Sequence, residues 1–389
     1  MYQTLFVAVI ALYIGSVIKK HSRFFKHFCI PAPVIGGTLF SIITCIFYVT
    51  GLVEIQFVDT LKEVCMIFFF TSVGFKANLK LLKSGGKRFI KLLVVVALIA
   101  LFQNLVAVGL SYALKLKPLI GLCVGSISMM GGHGTSGAFG PVLESLGVTG
   151  ATTIATAAAT FGLIAGSFMG APLGNHLVVK KKLAENHVEQ EHFELSEEIV
   201  RVADVSNYMK ATMLLVVAVG IGSVISFLIS KTGMIFPSYI GAMLVGAVIC
   251  NIGVYTKKIN IYIEEINDIG IIMLELFLGI ALVSLKLWLL AELAIPMIVL
   301  LVAQTVFMFF FARYAIFNIL GHDYDAAVLT AGTVGFGLGA TPNAMANIQS
   351  VTYNRPPSSL SFVLVPVVGG IFLDLINSAM ILLFINIFK

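Results

Sequence analysis

Runs of about twenty apolar residues with few or no charges recur from one end of this chain to the other, the length a helix needs to cross the ~30 Å hydrocarbon core of a bilayer. Such a chain must satisfy its own backbone N–H and C=O groups, so it is either a bundle of helices or a closed barrel. Barrel strands alternate in polarity over about ten residues, a pattern this sequence does not follow. With 59% hydrophobic and 11% charged residues, against roughly 45–50% and about 25% in a soluble domain, the chain reads as an all-α membrane protein.

The apolar runs predict about ten transmembrane helices, near residues 2–18, 32–50, 61–79, 89–113 and 150–179, then 209–230, 236–254, 267–288, 294–317 and 360–387. The first run has no basic residues before it and is followed by Lys19, Lys20, Arg23 and Lys26. It therefore reads as a retained helix starting outside, not as a cleaved signal peptide. Between the fifth and sixth runs lies a polar linker, residues 180–207, with seven of the nineteen acidic residues. It divides the chain into halves, 1–179 and 208–389.

The halves echo each other. Pro33 to Gly37 matches Pro237 to Gly241, Asn78-Leu79-Lys80-Leu81 matches Ser284-Leu285-Lys286-Leu287, Gln103 falls opposite Gln304, and Gly131 opposite Gly335. Offsets that stay between about 201 and 206 residues, in order, point to a duplicated unit. Each unit has five crossings, an odd number, so the second must enter the membrane with the opposite orientation, giving two inverted five-helix repeats. With both termini outside, 19 of the 25 basic residues fall in loops assigned to the cytoplasm, as the positive-inside rule requires.

Each half also holds a glycine-dense break in apolar sequence, Met129 to Gly137 within 118–140 and Gly335 to Asn343 within 325–347. Irregular backbone at membrane depth is tolerated only where it is buried in protein or lines a wet cavity, so each break is expected to be a re-entrant hairpin and a ligand site. Helices that start at a break aim N–H groups and partial positive charge into it, which suits a carboxylate. Gly131, Gly132, Gly134, Gly337 and Gly339 let backbone approach a ligand. The hydroxyls of Ser128, Thr135, Ser136 and Thr341, and the Asn343 amide oxygen, are hard ligands suited to a small cation. Small residues also serve close helix packing, and what favours a site is the pairing of the breaks across the repeat. A valine at Gly132 or Gly337 is expected to abolish function by disfavouring positive φ.

Asp374 lies deep in the last run, where a carboxylate costs at least about 2.5–3.5 kcal/mol unless compensated, and no lysine or arginine stands one turn away. It is expected to hold a mobile cation. The net charge of +6 comes from residues between apolar runs and forms no patch with interleaved aromatics, so no nucleic-acid partner is expected. The five cysteines show no C-x-x-C spacing and imply neither disulfides nor zinc. Gly134-Thr135-Ser136-Gly137 beside His133 permits an intramembrane serine protease, but a base must be brought onto the serine by folding. An ion channel is the other alternative, since glycine breaks also build selectivity filters.

Ile30 to Gly37, Gly131-Gly132-His133-Gly134-Thr135, Ala159-Thr160-Phe161-Gly162-Leu163, Tyr324 to Val328, and Gly335 to Pro342 together resemble the bacterial sodium/glutamate symporter family. The likeness runs over nearly the whole chain, through Val365-Pro366 and Asp374 to Asn377. It implies a non-enzymatic secondary active transporter of the bacterial inner membrane, taking up L-glutamate with sodium as coupling ion and no cofactor. A sodium-coupled symporter of another dicarboxylate or amino acid is the near alternative. The resemblance further implies a homodimer working by alternating access, in which a transport domain slides against a scaffold. Hairpins and fifth and tenth spans would move, and the spans near 32–50 and 236–254 would belong to the scaffold. Carried onto this chain, the candidate substrate residues are Gly131, Gly132, Gly134, Thr135, Ser136, Gly337, Gly339, Thr341, Asn343, Asp374 and Asn377. The candidate sodium ligands are Ser128, Thr160, Thr341 and Asp374.

Overall fold

The computed structural model describes residues 1–78, 86–184, 204–257 and 259–389. Most of the linker, with its acidic run and His187 and His192, lies outside them, as do Lys80, Lys83, Arg201 and Lys258. Among the described residues every regular element is helical. Nine helices among the described residues are long and apolar enough to cross a membrane: Tyr2–His21, Ala32–Val49, Gly86–Ala113, Ala151–Lys180, Val205–Ser230, Ser238–Thr256, Ile263–Val283, Ala294–Leu320 and Ser359–Phe388. The run predicted at 61–79 is a helix of 17 residues, Thr60–Lys76, that opens on Lys62 and Glu63. Nine spans plus this shorter helix account for the ten predicted runs.

The chain forms two compact units, and each draws on both halves of the sequence: Met1–Lys80 with Arg201–Leu293, and Leu81–Val200 with Ala294–Lys389. In the first unit Ala32–Val49 and Ser238–Thr256 both begin behind a proline, Pro31 and Pro237, whose fixed φ and missing N–H suit a helix start. Ser41 Oγ donates to the Leu282 carbonyl at 2.5 Å, and Asn251 Nδ2 to the Ala77 carbonyl at 2.7 Å. Around these ties Phe75, Ala211, Leu215, Val245 and Ile266 form a buried apolar core.

The second unit holds Gly86–Ala113, Ala151–Lys180, Ala294–Leu320, Ser359–Phe388 and both glycine breaks. Gly86–Ala113 and the last span run in the same direction, since Phe89 meets Phe372 at 5.6 Å and Tyr112 meets Phe388 at 6.4 Å. Two spans of this unit contain a π-helical turn, Ala312–Ile316 and Val368–Phe372. Such turns are rare inside α-helices and concentrate at functional positions.

Candidate functional site

The first break divides 118–145 into three pieces: Pro118–Val124, Ser126–Met129 and Gly132–Ser145. The chain leaves helical geometry at Gly125, with φ −82° and ψ −143°, and turns again at Gly132, whose φ is +60°. The second break parts Tyr324–Leu338 from Thr341–Thr352. There Gly339 (φ −144°, ψ −103°) leaves helical geometry and Ala340 (φ −156°, ψ 166°) is extended. The Asp323 side chain caps the first of these helices by accepting from the Ala326 N–H at 2.9 Å, and Pro342 helps start the second. The two helices press together at Gly335, where a Cβ would stand 2.5 Å from Ala344 Cα.

Folding brings the breaks together. A Cβ on Gly132 would lie 3.4 Å from the Gly339 carbonyl oxygen, and a Cβ on Gly162 would collide with the Leu338 carbonyl and stand 3.5 Å from Met129 Cε. Ala151–Lys180 thus packs closely enough to line both breaks. Its glycines serve packing, as small residues do between membrane helices, and that packing is what brings the broken backbones together.

Amide side chains then fasten the broken backbone. Gln103 Nε2 donates to the Gly337 carbonyl at 2.7 Å, and Gln304 Nε2 to the Gln103 carbonyl at 2.8 Å. Asn104 Oδ1 accepts from the Ser126 N–H at 2.9 Å, while Asn377 Nδ2 donates to the Ser126 carbonyl at 3.0 Å. Asn343 Nδ2 reaches the Leu163 carbonyl and Ser167 Oγ, both at 2.8 Å, and Asn347 Nδ2 reaches the Gly166 carbonyl at 3.1 Å. These amides satisfy backbone groups that a broken helix cannot satisfy itself. Among the described residues four of these amides bury an oxygen without a partner, Gln103 Oε1, Gln304 Oε1, Asn343 Oδ1 and Asn377 Oδ1, as do the Ser126 and Ser378 hydroxyls, while Asn104 leaves its Nδ2 donor unpaired. Buried acceptors without donors are costly, and hard neutral oxygens are what an alkali cation takes in place of water.

The candidates from the sequence fall into different roles. Gly132, Gly339 and Asn343 stand at the meeting of the breaks, and Asn377 is buried beside Ser126. Thr341 faces the π turn of the last span, because a Cβ on Gly369 would lie 3.0 Å from Thr341 Oγ1. Asp374 is half-buried in the first turn of Leu373–Phe388, directly after that π turn. Gly131 is close to Thr135, and Gly134 is half-buried on the same helix. Gly337 is helical, without the positive φ expected of it, and its carbonyl accepts from Gln103.

Several hydroxyls are already engaged. Ser136 Oγ lies 2.7 Å from the Gly132 carbonyl and 3.1 Å from that of Ala155. Ser128 Oγ points to the Gly125 carbonyl at 3.4 Å. Thr160 Oγ1 donates to the Thr156 carbonyl at 3.1 Å and meets His133 Nε2 at 2.9 Å. His133 is therefore tied to Thr160 while Ser136 donates to backbone, so the serine has no base on it and the protease reading fails on geometry. Asn104, Ser126, Asn347 and Ser378 were not picked out by the sequence reasoning. Their signal was a polar side chain inside an apolar run, which in membrane helices marks a functional or fastening position.

At the far ends of the second break, Arg88 forms an ion pair with Asp323 and another with Asp325 at 3.2 Å. Ser358 Oγ donates to Asp325 Oδ1 at 2.7 Å, and Arg355 Nη1 to Asn175 Oδ1 at 2.5 Å. These contacts anchor the ends of the segment whose middle is broken.

Residues 1–355 match the family model described as sodium/glutamate symporter. The sodium/glutamate symporter of Escherichia coli K12 is 35% identical over 392 residues, covering 98% of this chain and 96% of that protein. That of Haemophilus influenzae is 36% identical over 386 residues, with the same shares covered. Among solved structures, a sodium proton antiporter from Methanocaldococcus jannaschii aligns over 100% of this chain and 99% of its own at 17% identity, with a TM-score of 0.45. The family match over most of the chain, together with relatives above one-third identity along nearly its full length, identifies the protein as a member of the sodium/glutamate symporter family.

Proposed function

We propose that this protein is a secondary active transporter that carries L-glutamate inward across the bacterial inner membrane, driven by the sodium gradient. The observation that carries the reading beyond family membership is the approach of Gly132 to Gly339 beside buried oxygens without donors. Two helices, Gly132–Ser145 and Thr341–Thr352, begin at this place, and their N-terminal N–H groups suit the glutamate carboxylates. Asp374 and Asn377 from the last span, and Thr341 from the start of Thr341–Thr352, face the α-ammonium or a sodium ion, with Ser128 and Thr160 as further sodium ligands. Gln103, Asn343 and Ser378 add oxygens to that set. Sodium is a co-substrate here, and its charge offsets that of an anion entering a medium of low dielectric.

In this account the breaks are re-entrant hairpins entering from opposite faces, the halves are inverted repeats, both termini are outside and the linker of residues 180–207 is cytoplasmic. The positive-inside pattern supports that orientation. The unit holding both breaks slides as the transport domain, the other unit is the scaffold, and the protein works as a homodimer. Separation of the chain into two compact units that each mix both halves supports the division of labour. The test is uptake of labelled glutamate by purified protein in liposomes. Accumulation that needs external sodium and collapses with a sodium ionophore is expected, and uptake unchanged when choline replaces sodium overturns the proposal.

A further inference from the structure

Within the second unit a groove of about 630 Å³ runs between Ala151–Lys180 and Ala294–Leu320. Its walls are apolar, with Phe168, Met169, Phe309 and Phe310 prominent, and its end carries His176 and Arg313. Phe168 is 65% and Phe310 52% exposed, so the groove opens outward from the unit. None of its lining residues belongs to the glycine breaks.

The two helices run in the same direction here, because Lys181 Nζ, beyond the lining of the first, sits 4.5 Å from the ring of Phe317, beyond the lining of the second. Basic groups therefore gather at one end of the groove: His176, Arg313, Lys181 and the exposed Lys180 and Lys182. Among the described residues Arg313 makes no ion pair; its guanidinium lies 5.8 Å from the neighbouring Tyr314 ring. Among the described residues no carboxylate lines the groove, and Asp323 and Asp325 are held by Arg88. Arg313 also sits on the π turn Ala312–Ile316. No proline causes that turn, and such a turn persists where it places a side chain that a regular helix would aim elsewhere.

The lining on the first helix extends from Ala165 to His176, about 16 Å at ~1.5 Å per residue, close to half of the ~30 Å hydrocarbon thickness. A groove one leaflet deep, apolar along its length and cationic where the helices end, matches one molecule class in length, polarity and charge. We propose that it is a binding site for an anionic phospholipid of the surrounding bilayer. One acyl chain lies along Phe168, Met169, Phe309 and Phe310, and the phosphate is held by Arg313 with His176 as a further donor. Guanidinium suits this task because it stays charged and binds phosphate oxygens in pairs.

The test uses a single tryptophan as reporter. Trp288, the chain's one tryptophan, is replaced by phenylalanine and Phe309 by tryptophan, and the purified protein is titrated with phosphatidylglycerol or phosphatidylcholine bearing brominated acyl chains. Phosphatidylglycerol is expected to quench at a three- to tenfold lower lipid fraction than phosphatidylcholine. Arg313→Gln should erase the preference, Arg313→Lys keep most of it, and His176→Gln weaken it. Excess inorganic phosphate should leave the quenching in place. Elution of each variant as the parent does on size exclusion confirms folding. Equal quenching by the two lipids, a preference untouched by Arg313→Gln, displacement by free phosphate, or a reporter shielded from both lipids by a second copy of the chain would each overturn the assignment.

Discussion

Gln304 Nε2 donates to the backbone carbonyl of Gln103 at 2.8 Å, and Gln103 Nε2 in turn donates to the Gly337 carbonyl at 2.7 Å. The two glutamines stand 201 residues apart, opposite one another in the internal sequence echo, and both are fully buried. A relay of amides thus leads from one crossing helix through another to the last turn before the second break. In a membrane interior such a relay is stabilised by the lack of water to replace it.

Replacing Gln103 by leucine removes the donor to a buried carbonyl, which costs about 1–3 kcal/mol. The expected outcome is a lower thermal midpoint for the purified protein and at least a tenfold loss of glutamate uptake. Gln304→Leu should cost less, because the Gln103 carbonyl belongs to a regular helix and already accepts its helical bond. Equal stability of Gln103→Leu and the parent would show that the relay has no energetic weight.

Gly132 has φ +60° and faces the Gly339 carbonyl, so Gly132→Val adds left-handed strain of about 1–2 kcal/mol or more and pushes the breaks apart. Loss of uptake with normal membrane insertion is expected. Gly337 is different: it is helical, and a Cβ there would meet the flexible Met308 side chain at 2.6 Å. Gly337→Ala should therefore keep a measurable fraction of transport. Gly370→Ala, with nothing within 4 Å, is the neutral control. Identical behaviour of all three would return the glycines to generic helix packing.

Asp374→Asn keeps the shape of a half-buried side chain and removes its charge. Binding should weaken by more than tenfold, about 1.4 kcal/mol or more. If the carboxylate holds the α-ammonium, glutamate affinity falls while a deaminated dicarboxylate is little affected. If it holds sodium, the apparent sodium affinity falls with every substrate. Isothermal titration of purified protein with each ligand separates these outcomes, and unchanged affinities for both would place Asp374 outside the site.

Arg88 anchors the start of the second broken segment through Asp323 and Asp325. Arg88→Gln leaves Asp325, 15% exposed, without its cation, and its cost should fall in the 1–3 kcal/mol range of a charged hydrogen bond. Faster proteolysis of the loop around Gly321 is the expected readout. A digestion pattern like that of the parent would mean that the hydrogen bonds of Asp323 and Ser358 suffice.

Cysteines introduced one at a time in a cysteine-free background report the orientation. Lys115→Cys, in the turn after Gly86–Ala113, should react with an impermeant thiol reagent on intact cells, and Lys182→Cys should react only after lysis. Labelling of position 182 from outside would overturn the orientation derived from the basic residues.

What could be read from the sequence follows from the range of the forces involved. The spans were legible because burial in hydrocarbon acts on each run alone, and the breaks because Gly132 and Gly339 interrupt such runs, whereas the departure at Gly125 lies outside the break read at Met129 to Gly137. The start of Thr341–Thr352 was foreseeable from Pro342. The fastening of the breaks was not, since Asn377 reaches Ser126 across 251 residues and Gln103 reaches Gly337 across 234, and only the packed chain defines those pairs. The local contact of Ser136 was not read either: a serine inside a helix readily bonds the carbonyl four residues back, and its oxygen lies 2.7 Å from that of Gly132. The π turn before Asp374 left no local mark, although the aspartate's place midway along Ser359–Phe388 was legible from the apolar run.

Sodium flux in the presence and absence of glutamate tests the coupling directly. Liposomes containing only this protein are given an inward gradient of radioactive sodium with no membrane potential, and sodium entry is followed with and without external glutamate. The account predicts that glutamate stimulates sodium entry severalfold, with both fluxes saturating at the same glutamate concentration and both lost in Gly132→Val. Glutamate entry that proceeds without any matching sodium movement would contradict it.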